Sequence, residues 1–159
     1  MRNNFFSKRG GTAGHHRPWR LRIYLLLYGS QLAQAMQRDG FDNWSLVQRV
    51  LATADAVYLG ATGYSGHITI EAQLFGNMLL TKEAETTFSA WLDDGTPMLR
   101  GYCLEGLYRL GSKKLLALSP AVLHCEAAIT TRLGCYALET TISDLAADLQ
   151  ARIARSELH

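Results

Sequence analysis

The run Asp93-Asp94-Gly95-Thr96-Pro97 constrains the fold more than any other stretch of the chain. Gly95 predicts a turn, and Thr96 suits a helix N-cap. Pro97 suits the first helical position, where the missing N–H has no partner to lose. Met98, Leu99, Cys103, Leu107 and Leu110 then recur at helical spacing, and Gly111-Ser112 supplies a stop. A second apolar period lies just before the turn, with Ala84, Phe88, Trp91 and Leu92 over residues 82–93. Two helices joined this tightly predict an α-hairpin.

The rest of the chain extends this reading. Asp42 or Asn43 caps a helix from Trp44 to about Leu59, with Leu46, Val47, Val50, Leu51, Ala54, Val57 and Tyr58 on one face. A further helix spans Ile68 to Leu80. Gly76 inside it costs about 1 kcal/mol relative to Ala, which suggests close packing by a neighbour. Lys113–Leu118 reads as a short apolar helix, and Ser119-Pro120 opens another. Residues 129–139 show little helical period and read as an irregular segment with some extended character. A last helix starts at Thr141 or Ser143 and ends near Arg155, with Ile142, Leu145, Leu149 and Ile153 inward.

With 159 residues, 48% hydrophobic and 19% charged, the chain has the length and core content of one domain. Its net charge of +2 comes from the N-terminal arm, where Arg2, Lys8, Arg9, Arg17, Arg20 and Arg22 precede the first acid, Asp39. Without those six, the remaining Lys and Arg are outnumbered by the 14 acids. The folded part therefore lacks the clustered bases that nucleic-acid binding needs. The same arm leads into Ile23-Tyr24-Leu25-Leu26-Leu27-Tyr28 and ends at Ala33-Gln34-Ala35. A basic region, a short apolar core and an A-x-A end are the parts of a secretory signal peptide. Residues 1–35 thus read as a cleaved leader or a disordered basic tail, and 36–159 as a helical domain. The apolar run is too short to span a bilayer. Export implies a periplasmic or secreted protein; a cytoplasmic start at Met36 is the alternative.

The chemistry-bearing residues are sparse. Gly60, Gly63 and Gly66 match neither dinucleotide nor phosphate-loop spacing, so no cofactor is expected and a flexible interhelix loop carrying Tyr64 is. Cys103, Cys125 and Cys135 lie too far apart for a metal knuckle, and His15-His16 lacks further ligands. Exported, three cysteines give one disulfide and one free thiol. Three pairings are open; Cys103 falls on an apolar helix face and reads as a buried small hydrophobe, which favours Cys125–Cys135 among them. His124 beside Cys125 suggests a thiol–imidazole pair, but neighbours on a helix point about 100° apart. Glu71, Glu105, Glu126 and Glu139 lack a base or metal ligand at useful spacing. No catalytic constellation is expected.

Residues 82–111 resemble a HEAT-type helical repeat through Trp91-Leu92-Asp93, Thr96-Pro97, Leu99-Arg100, Cys103-Leu104, Leu107 and Leu110-Gly111. In that family an Arg near the second helix start pairs with a nearby acid. The resemblance gives this role to Arg100, with Asp93 or Asp94 as partner. The order of elements also resembles small bacterial exported proteins without assigned activity, through Gly60–Gly66, Gly101–Leu107 and Gly134-Cys135. These readings give an all-α fold: a short right-handed α-α superhelix of HEAT-like hairpins. The function expected is a non-enzymatic interaction or structural module of the bacterial envelope. Its unknown protein partner would meet Tyr64, Arg100 and Arg109. Two other functions fit the same residues. One is an immunity or inhibitor-type protein acting by contact. The other is a small thiol enzyme or hydrolase using His124, Cys125 or Cys135.

Overall fold

The structure, a computed structural model, describes residues 31, 32, 34–36, 42–62 and 66–156. Helix α1 (Trp44–Ala52) leads into strand β1 (Val57–Thr62). Helices α2 (Ile70–Met78), α3 (Ala84–Asp94) and α4 (Pro97–Arg109) follow, then a 3-10 turn (Lys113–Ala117) and the single-turn helix α5 (Pro120–Leu123). Strands β2 (Ala128–Gly134) and β3 (Tyr136–Thr141) form a hairpin, and α6 (Ile142–Ser156) closes the described chain.

The expected hairpin is present. Thr96 Oγ1 accepts from Leu99 N–H at 3.3 Å with Pro97 in the first turn, and the same hydroxyl donates to the Ala52 carbonyl of α1 at 3.1 Å. At the far end Gly111 adopts φ +64° and donates to Tyr108 O, while Ser112 N–H reaches Leu107 O. That pair of bonds is a Schellman stop, which needs the left-handed residue glycine supplies. Buried Ser112 also donates to Glu85 on α3 at 2.6 Å, so the two helices are tied at both ends.

Helix α4 is the centre of the molecule. Leu99 and every residue from Gly101 to Leu107 are buried, which means α4 is covered on all sides. Two glycines allow this. A Cβ at Gly106 would lie 2.5 Å from the Phe88 ring of α3. One at Gly101 would lie 2.7 Å from Val57 Cγ2 of β1 and 3.0 Å from Ile129 Cδ1 of β2. Glycine is therefore required by the approach of a helix on one side and a sheet on the other. Gly76 behaves otherwise: no atom of the described residues lies within 4 Å of the position its Cβ would take, so close packing among them does not explain it.

The sheet overturns the all-α superhelix. Its order is β1-β2-β3, with β1 parallel to β2 and β2 antiparallel to β3. This makes the fold a mixed α/β one. Two misreadings account for the difference. The first helix stops at Ala52 and does not continue to Leu59. Thr53 Oγ1 turns back to bond Arg49 O at 2.8 Å, and Val57 and Tyr58 then pair with Thr131 and Arg132 of β2. Val57 and Tyr58 extend the helical period of Val50 and Ala54 by coincidence, while their own preference is for strand. Gly60 accordingly lies in β1 and not in an interhelix loop.

The second misreading concerns residues 129–139. Gly134 has φ +61°, and Leu133 pairs with Tyr136 across Gly134-Cys135. A two-residue turn with glycine first is a standard hairpin connection, and β-branched and aromatic residues flank it on both sides. The hairpin also excludes the Cys125–Cys135 disulfide. Cys125 precedes the base of β2 and Cys135 caps its tip, so a seven-residue strand holds them on the order of 20 Å apart. A disulfide needs Cα atoms within about 7 Å. All three cysteines are free thiols.

One face of the sheet packs on α4 through Val57, Ile129 and Thr131, all buried. Met36, 2% exposed, joins the core from the other end of the chain; its N–H donates to Leu32 O at 3.0 Å, and Leu32 packs against the same cluster. Cleavage after Ala35 would leave Met36 and remove Leu32. The remainder of the expected leader, residues 1–30 and 33, lies outside the described residues. No helix among those described is long and apolar enough to cross a membrane.

Candidate interaction site

The residues expected to meet a partner divide three ways. Tyr64 lies outside the described residues. Arg100 is spent inside the chain: its guanidinium donates to the main-chain oxygen of Asp93, to Ala121 O at 3.4 Å and to Cys125 Sγ at 3.5 Å. Neither acid the HEAT resemblance offered pairs with it: the Asp93 carboxylate accepts from Ser119 Oγ at 2.7 Å, and among the described residues no ion pair joins Arg100 to Asp94. Arg100 thus binds a carbonyl at the C-terminal end of α3, where a cation is favoured, and holds α5 to the hairpin. Arg109 is exposed but also internal in its contacts. It lies 5.4 Å over the Phe75 ring, donates to Leu59 O at 3.0 Å and pairs with Glu105 at 3.9 Å.

The buried polar groups of the core serve the fold. Tyr102 Oη accepts from Tyr58 N–H at 2.9 Å and donates to Ala56 O at 3.1 Å, fastening the start of β1 to α4. Burial pushes its hydroxyl well above the ordinary tyrosine range. Burial likewise raises the Cys103 thiol, which keeps it protonated and inert. Burial is the main cause that raises the Glu105 carboxyl, with Arg109 opposing it. His124 is exposed beside half-buried Cys125. No group of three His, Cys, Asp or Glu among the described residues could hold a metal ion.

The surface that stands out is the outer half of the β2–β3 hairpin. Register pairs Ile129 with Thr140, Thr131 with Leu138 and Leu133 with Tyr136, so all six lie on the helix-facing side of the sheet. The helical layer covers only the inner end. Ile129 and Thr131 are buried, whereas Leu133 is 57%, Leu138 64% and Tyr136 84% exposed. A strip of apolar side chains thus continues a core face out into solvent, beside a strand that has no further neighbour among the described residues. The other side of the hairpin carries Thr130, Arg132, Ala137 and Glu139. Sequence reasoning missed this surface by treating residues 129–139 as irregular. The signal was present: Tyr136, Leu138 and Thr140 alternate with Ala137, Glu139 and Thr141 after a Gly-X turn.

No protein-family model matches the sequence, and neither the curated proteins nor the solved structures contain a match to it.

Proposed function

We propose that this protein is a non-enzymatic interaction module that docks another polypeptide along β3. The observation that carries the reading is the exposed strip Leu133, Tyr136 and Leu138 on an open sheet edge. An edge strand offers unpaired main-chain donors and acceptors, and flanking apolar side chains add the burial that makes pairing stable. The partner is an extended segment whose alternate side chains cover those three residues. A location in the bacterial envelope is proposed from the sequence of residues 1–35 alone, and the intact mass and compartment of the chain test that part separately.

A photo-reactive residue in place of Leu138 tests the docking edge, with exposed Gln73 on α2 as the control position. Cross-linking in the native host should give a polypeptide adduct at 138 and none at 73, mapped to a β-strand of the attached chain. A folded protein with no adduct at 138 overturns the reading.

A further inference from the structure

We infer that the segment β3 receives is β3 of a second copy of this chain, paired antiparallel about a two-fold axis through Leu138. The inference rests on the edge-docking reading above and adds the occupant and its register.

Main-chain geometry comes first. A two-residue hairpin turn makes Leu133 and Tyr136 a hydrogen-bonded pair, and such pairs alternate along an antiparallel ladder. Thr131–Leu138 and Ile129–Thr140 then also direct their main-chain groups into the hairpin. Ala137 and Glu139 direct theirs outward. Two copies of β3 can join only where outward groups meet outward groups. With Leu138 on the axis, Ala137 of each copy faces Glu139 of the other, and both pairs are hydrogen-bonded on both sides.

Charge then selects this register from its neighbours. Arg132 and Glu139 form no ion pair among the described residues. Arg132 sits directly beside Ala137 on β2, on the face opposite the apolar strip. In the register centred on Leu138, Glu139 of the second copy lies on the far side of Ala137. Strands are about 4.8 Å apart, so the two long side chains converge over the alanine methyl from roughly 10 Å. The symmetry supplies the contact twice. An axis at Glu139 would oppose the two carboxylates directly, and like charges so placed are destabilising. An axis at Ala137 would oppose Glu139 to Cys135 and leave Arg132 without an acid. On the other face the chosen register brings Leu138 against Leu138 and joins two apolar strips into one. The result is a continuous six-stranded sheet and an isologous interface, the commonest form for a homodimer.

Sedimentation of the full chain from about 1 to 300 µM tests this, with circular dichroism to confirm that each variant is folded. The wild type should show a concentration-dependent dimer. Leu138→Glu should weaken it at least 100-fold, because it buries two carboxylates face to face. Arg132→Glu and Glu139→Arg should each weaken it 10-fold or more, and the double variant should recover most of the loss. A folded chain that stays monomeric throughout overturns the second-copy inference. If the cross-link at 138 then falls on a different polypeptide, the edge-docking reading survives without it. A dimer indifferent to all three positions overturns the inference as well, since another surface must hold it.

Discussion

Helix α4 and the outer β2–β3 hairpin are opposite kinds of structure built from similarly mixed sequences. Gly101 to Leu107 contains two glycines, a tyrosine, a cysteine and a glutamate, yet all seven residues are buried. Leu133 to Leu138 contains two leucines and a tyrosine, and its large side chains are mainly in water. Side-chain hydrophobicity therefore does not decide position here. Size and register do. The glycines of α4 let Phe88, Val57 and Ile129 close on the helix, while the hairpin extends beyond the helices that would cover it. The inner region is specified by contacts on every side, and the outer one is left to be completed.

Substitutions should separate the two regions. Phe88→Ala should have the largest effect. The ring fills the space Gly106 leaves and stacks near Phe75 at 5.9 Å between centroids. Its loss should cost about 3–5 kcal/mol in urea unfolding. Tyr102→Phe keeps the shape but leaves Tyr58 N–H and Ala56 O without their partner. About 2 kcal/mol should be lost, together with faster amide exchange at Tyr58. Gly106→Ala should cost about 1–2 kcal/mol: overpacking against the ring outweighs the roughly 1 kcal/mol that alanine adds to helix propensity.

Glu105→Gln should act in the opposite direction and depends on pH. Burial raises the folded carboxyl above its ordinary value, so the folded state favours the protonated form. The stability this contributes is complete below the unfolded pKa near 4.5 and is lost as pH rises through the folded value. At pH 7 the glutamine variant should melt higher than the wild type, and near pH 4 the two should converge. Leu138→Ser should change monomer stability by less than about 0.5 kcal/mol, because an exposed side chain has little burial to lose. A large loss there would erase the distinction between the two regions.

The same contrast explains what could be read from the sequence. The α3–α4 hairpin carries local signals: Thr96 caps, Pro97 opens and Gly111 stops, and each acts within a few residues. Their outcome does not depend on the rest of the chain. Strand β1 depends on it heavily. Val57 becomes a strand residue because Thr131 lies beside it. A helical period running through Val50, Ala54 and Val57 carries no trace of that pairing. The β2–β3 turn is local and was open to reading from Gly134. The partner surface was not, because exposure of Leu138 depends on where α4 and α6 end in space. Arg100 illustrates the same limit: its contact with the α3 terminus was anticipated, but through an acid and not the carbonyl it uses.

The parallel pairing of β1 with β2 also sets an order of assembly. Val57 meets Thr131 only after α2, α3, α4 and α5 have been placed between them, whereas Leu133 meets Tyr136 across two residues. The chain entropy lost on closing a loop grows with its length, and topologies rich in distant contacts fold more slowly. The α3–α4 pair and the β2–β3 hairpin can each form early from neighbouring residues. β1 must wait for both, and until it docks, the inner edge of β2 is as open as the outer edge of β3. In the finished sheet β1 and β3 are both edge strands, but β1 is tied down, with Tyr58 N–H on Tyr102 Oη and Thr62 N–H on His67 O, which leaves β3 as the edge kept for use.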